Sequence, residues 1–155
     1  RMRMRGASLM EFLERVVNAL VNLHPWHALV VHFPTAFSVV GLLCVLYALW
    51  RQSELFEKFA FFCMTITAAG TAAAGLAGLR DNLVRFGGGA PYLNIKIFLA
   101  ASLLLLGSAA TLARWRNPDL LWSPSTRILY TSAFVGAALL ATVLGFVGGS
   151  IVYGF

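Results

Sequence analysis

The stretch HPWHALVVHFPTAFSVVGLLCVLYALW, residues 24–50, decides the fold. It holds all three histidines of the chain, His24, His27 and His32, and no lysine, arginine, aspartate or glutamate. A backbone in hydrocarbon must satisfy its own N–H and C=O groups, so an uncharged run of this length reads as a membrane-crossing helix. Three further stretches, about 59–79, 92–113 and 128–150, are similarly apolar, Lys96 in the first turns of the second of them being their one charged residue. At 1.5 Å per residue each reaches roughly 31 to 39 Å, enough for a hydrocarbon core of about 30 Å with some tilt.

Composition points the same way. Of 155 residues, 59% are hydrophobic and 12% charged, against about 25% charged in an ordinary soluble domain. The expected object is all-α: an integral membrane four-helix bundle, residues 24–155, preceded by a basic arm and a short amphipathic helix over residues 1–23. The formal charge of +6 does not indicate nucleic acid, because the arginines lie outside the apolar runs without a basic helix or interleaved aromatics. Anionic lipid headgroups or an acidic partner subunit account for them. Cys44 and Cys63 fall inside spans and read as small packing groups.

Within the opening stretch, His24-Pro25 marks a helix entrance, since proline is tolerated in the first turn. Pro34 lies deeper; it deletes the bond from residue 34 back to residue 30 and is expected to bend the helix near His32. Tyr47 and Trp50 belong at the far headgroup level. Ahead of the stretch, Ser8 precedes Glu11 by the spacing of a capping box, and Met10, Val17, Leu20 and Val21 alternate with Glu11, Glu14, Arg15 and Asn18 as on an interfacial helix. Behind it, Arg51, Glu54, Glu57 and Lys58 read as a loop.

The second run is small-sided: Gly70, Ala74 and Gly78 recur every fourth residue, a ridge that lets a neighbouring helix, or a flat cofactor, approach closely. Gly145 and Gly149 repeat that spacing in the last run and are expected to form a second packing face. No span contains the paired charges of a pump or channel, and no serine has a histidine and carboxylate arrangement for hydrolysis. The turn at Gly87-Gly88-Gly89-Ala90-Pro91 lacks the context of a phosphate loop.

On a helix His24 and His32 lie about 80° apart, and His27 about 60° to the other side of His24. His24 and His27 lack a carboxylate or thiol to complete a metal site. His32 is the sharpest candidate, because a neutral imidazole at its depth can ligate a heme or chlorophyll metal or hydrogen-bond a quinone. The alternative is a structural hydrogen bond at the bend. Since every histidine sits on one helix, bis-histidine heme ligation requires a second copy or another donor.

The run HPWHALVVHFP resembles the HP…VHFP signature of the DUF2231 family, small membrane proteins with four crossings. Gly145-Phe146-Val147-Gly148-Gly149-Ser150-Ile151-Val152-Tyr153 resembles that family's closing GxxGGxxVY pattern, and Gly75-Leu76-Ala77-Gly78-Leu79-Arg80-Asp81 its TGLxD region. The likeness covers residues 24 to 153. It implies a four-helix membrane component associated with electron-transfer systems. In many relatives a further histidine near the third crossing completes a heme-like arrangement; Asn94 and Lys96 stand there in this chain.

The resulting expectation is an accessory or scaffold subunit of a larger energy-transducing complex, electron-transfer or photosynthetic, seated in a bacterial inner membrane with both termini on one side. It would contact lipids and other membrane subunits or a second copy of itself. The alternatives are a heme b or other tetrapyrrole protein centred on His32, and a small carrier or quinone-interacting protein with His32 lining a cavity.

Overall fold

A computed structural model describes residues 9–18 and 26–153, and within them all regular structure is helical. The elements are α1 (Leu9–Asn18), α2 (Trp26–Val30), α3 (His32–Arg51), α4 (Glu54–Phe86), α5 (Leu93–Arg116) and α6 (Pro124–Tyr153). Four segments are long and apolar enough to cross a membrane: His27–Arg51, Glu54–Phe86, Leu93–Arg116 and Pro124–Ser150. The first combines α2 and α3. The chain is therefore a membrane helix bundle with a short N-terminal helix, as its hydropathy predicts.

Each long helix packs against two others, α3 on α4 and α6, and α5 on α4 and α6, so the four close into a ring. Consecutive helices alternate in direction. One end of the bundle carries α2 and the α4–α5 turn; the other carries the α3–α4 turn and the segment joining α5 to α6. The packed core sits nearer the second end, around Val45, Ala48, Met64, Leu103, Leu121 and Phe134. Leu121 is fully buried, and Leu120 and Trp122 pack against the same core. Arg127 holds this segment there by donating from Nε to the Leu121 carbonyl at 3.1 Å.

Helix ends follow local chemistry. Gln52 adopts the left-handed conformation (φ 50°), and its N–H and that of Ser53 both return to the Ala48 carbonyl, closing α3 in a two-residue turn. Gly87 (φ 57°) ends α4, the conformation in which glycine carries no Cβ penalty. Pro124 stands at the first position of α6, where a missing N–H costs nothing.

Two expectations are corrected. Residues 54–58, read as loop, are the first turns of α4, and residues 80–86, beyond the expected end of the second run at about 79, are its last. Two of the charged residues in these turns, Glu57 and Asp81, are buried and partnered, while Glu54, Lys58, Arg80 and Arg85 are exposed. Glu57, 1% exposed, receives the guanidinium of Arg114 from both Nε and Nη2, the latter at 2.7 Å. Paired charges therefore do lie within the spans, at the ends of α4 and α5. The Arg114 guanidinium also stacks over Phe61, 5.5 Å from the ring centroid.

The ten residues of α1 are all exposed, with Leu9, Met10, Phe12 and Leu13 presenting an apolar face opposite Glu11, Glu14 and Arg15. Ser8 of the expected capping box and residues 19–22 of the expected helix lie outside the described residues.

Candidate functional site

The candidate site is the seam where the histidine and proline segment meets the small-residue ridge of α4. Pro34 interrupts the helix as its missing N–H requires: α2 and α3 are separated at Val31, yet Val31 keeps helical dihedrals (φ −63°, ψ −23°). The Val31 carbonyl still receives the Thr35 hydroxyl at 3.0 Å. α2 packs mainly against α4.

The ridge is fitted residue by residue to that segment. A Cβ at Gly70 would stand 3.0 Å from Pro34 Cδ, and one at Gly78 would stand 3.0 Å from His27 Nδ1 and 3.3 Å from Cε1. Between them, one turn from each, the Ala74 carbonyl lies 2.8 Å from His27 Nδ1. Glycine is needed at both flanking positions because a ring approaches backbone there. Pro34 of α3 and His27 of α2 thus lie against the ridge.

Asp81, one turn beyond Gly78 and buried, accepts the main-chain N–H of His27 at 3.1 Å through Oδ2. A first-turn amide has no partner within its own helix, and the carboxylate supplies one. Oδ1 of Asp81 takes Arg80 Nη1 at 3.2 Å. Next to it, buried Asn82 accepts the Ala90 N–H at 2.9 Å through Oδ1 and those of Gly87 and Gly88 through its carbonyl, which fixes the α4–α5 turn.

The three histidines have different fates. His24 lies outside the described residues. His27 is half-buried, with ring and amide both held by α4. His32 is exposed on the outer face of the bundle and makes no hydrogen bond to a described residue. It neither lines an interior cavity nor pins the bend, so the residue singled out for depth points outward while His27 turns in. Asn94 is exposed, and Lys96 is half-buried on α5 within electrostatic reach of His27. Among the described residues no three histidine, cysteine or acidic side chains gather in a metal-ligating group.

A Cβ at Gly145 or Gly149 would meet no described atom within 4 Å. The close approaches of α6 occur earlier: Gly136 admits Leu106, with Cδ2 3.0 Å from a built Cβ. Sequence reasoning also missed Asp81 and Asn82, whose polar character beside a glycine ridge was their available signal.

No curated protein and no solved structure matches the chain. Residues 23–155 match the family model described as "Predicted membrane protein (DUF2231)". Two of the three motifs that resemble the family meet at the seam, the histidine and proline run from one side and Gly78 with Asp81 from the other, and the chain belongs to the DUF2231 family.

Proposed function

We propose that this chain is a non-catalytic accessory subunit of a larger energy-transducing membrane complex, electron-transfer or photosynthetic, docked through the outer face of α3. The supporting observation is His32. It lies five residues inside the span that begins at His27, about 7.5 Å along the helix, on the exposed face between Leu29 (65% exposed) and Phe33 (56% exposed). A polar side chain within a span ordinarily faces protein or a polar cavity, because lipid offers it no hydrogen bond. A group from another subunit satisfies that imidazole. The membrane is a bacterial inner membrane in this reading, with both termini on one side.

The test is extraction in a mild detergent, with sizing and photo-crosslinking from the Leu29 and Phe33 positions. A partner protein should copurify, and His32→Leu should release it while leaving the chain's own thermal unfolding unchanged. A chain that runs alone before and after crosslinking sinks the reading.

The exposure of His32 also favours a second reading, a heme b or other tetrapyrrole held at this outward imidazole. The chain offers one axial donor there, so a six-coordinate heme would draw its other ligand from elsewhere, such as a second copy. Protein purified with tetrapyrrole supplied should then show a Soret band that His32→Ala abolishes; its absence removes the reading.

A further inference from the structure

The residues of α1 sort onto two faces without exception. At 100° per residue, Leu9, Met10, Phe12, Leu13, Val16 and Val17 fall within an arc of about 160°, and Glu11, Glu14, Arg15 and Asn18 fill the opposite one. Leu9, Leu13 and Val16 stand at the middle of the apolar arc. All six apolar side chains are exposed, from 37% at Val16 to 74% at Leu9.

Ten residues make a helix of about 15 Å, too short to persist in water on propensity alone. A surface that takes up its apolar face sustains such a helix. The chain ties α1 to one. Residues 19–25 separate Asn18 from Trp26, the first residue of α2, and at full extension that link reaches about 28 Å. The first span begins at His27, so α1 is held close to the bilayer surface, at the end of the bundle where Arg80 and Arg85 are exposed.

Charge selects the kind of surface. α1 itself carries Glu11, Glu14 and Arg15, all on its polar face, and is not drawn to anions. Ahead of it the sequence places Arg1, Arg3 and Arg5, with no acidic residue before Glu11. Each arginine near an anionic leaflet strengthens association about fivefold.

We propose that α1 lies in the plane of the bilayer interface at the α2 end of the bundle, with Leu9, Leu13 and Val16 inserted about 5–10 Å and with Arg1, Arg3 and Arg5 drawing it to anionic lipid headgroups. A helix this short depends on both contributions. It forms where the leaflet is acidic and loosens where the leaflet is uncharged.

The experiment places a nitroxide at Leu9→Cys, Leu13→Cys, Val16→Cys, Glu11→Cys or Asn18→Cys, one at a time, in the full chain carrying Cys44→Ala and Cys63→Ala. Each protein is reconstituted into nanodiscs of phosphatidylcholine with or without about 30% phosphatidylglycerol. In the anionic discs, oxygen relative to a water-soluble nickel chelate should reach the first three labels about tenfold more readily than the last two. That contrast should fall to about twofold or less in uncharged discs and in Arg1→Gln/Arg3→Gln/Arg5→Gln, and Phe12→Asp should abolish it. Nickel access along the whole helix in anionic discs would mean that water surrounds it, and low access of both reagents on the apolar side would mean that protein covers it. Either result overturns the proposal, as does a contrast indifferent to lipid charge. If the cysteine-free background does not fold, amide exchange over residues 9–18 of the unmodified chain decides. It should be at least about fivefold slower in anionic than in uncharged discs, and equal rates overturn the proposal.

Discussion

Breaking the Glu57–Arg114 pair from one side should destabilise the protein far more than removing it whole. At the 2.7 Å separation of Arg114 Nη2 and Glu57 Oε2, the attraction is about 6 kcal/mol for an effective dielectric of about 20. Dehydrating each ion costs several kcal/mol, so the intact pair contributes little net compared with a well-packed apolar pair. Deleting one partner strands the other, at about 3–5 kcal/mol. The two singles should not be equal. Arg114→Met leaves a carboxylate that is 1% exposed, whereas Glu57→Leu leaves a guanidinium whose side chain is 12% exposed and long enough to reach the headgroups. Arg114→Met should therefore fall at the upper end of the range and Glu57→Leu below it, while the Glu57→Leu/Arg114→Met double variant should lie within about 2 kcal/mol of wild type. Unfolding in mixed micelles of increasing sodium dodecyl sulfate measures all four proteins. Additive losses under about 1 kcal/mol each would refute the reasoning, since they would mean that the two charges are separately hydrated.

Gly70→Leu should destabilise the bundle by about 1–3 kcal/mol or force α2 off α4, because its Cβ alone meets Pro34 at 3.0 Å; unfolding and hydrogen exchange at α2 read this. Gly145→Leu, with open space around it, should stay within about 0.5 kcal/mol in the isolated chain, and a larger loss would show that α6 packs more tightly than described. Asp81→Ala removes the acceptor for the His27 amide and should cost about 1–2 kcal/mol, with faster amide exchange in α2; unchanged exchange there contradicts the anchoring role. Pro34→Ala should fuse α2 and α3 into an unbroken helix, read as a protected amide at residue 34.

What the sequence makes legible is set by what is local. Hydrocarbon length shows the four spans, Pro34 marks the break one turn before it, and the fourfold spacing of Gly70, Ala74 and Gly78 marks a surface that something approaches closely. What remains hidden is which face of each helix meets which neighbour. Helices that are apolar all round have no polar stripe to orient them, so nothing in residues 24–50 says that His27 turns inward and His32 outward. The pairs that settle it, His27 with Asp81 and Glu57 with Arg114, are 54 and 57 residues apart in the chain. Two of the charges read as span boundaries, Glu57 and Asp81, are instead buried partners, and α4 extends past both expected ends.

The 33-residue α4 has a mechanical consequence for the lipid around it. Its acidic anchors, Glu57 and Asp81, are 24 residues apart, about 36 Å along the axis. A hydrocarbon slab of about 30 Å accommodates that separation if the helix leans by roughly 34°, within the range transmembrane helices adopt. Longer acyl chains would let it stand more upright and shorter ones would press it flatter, so bilayer thickness sets the inclination of the helix on which His27 is docked.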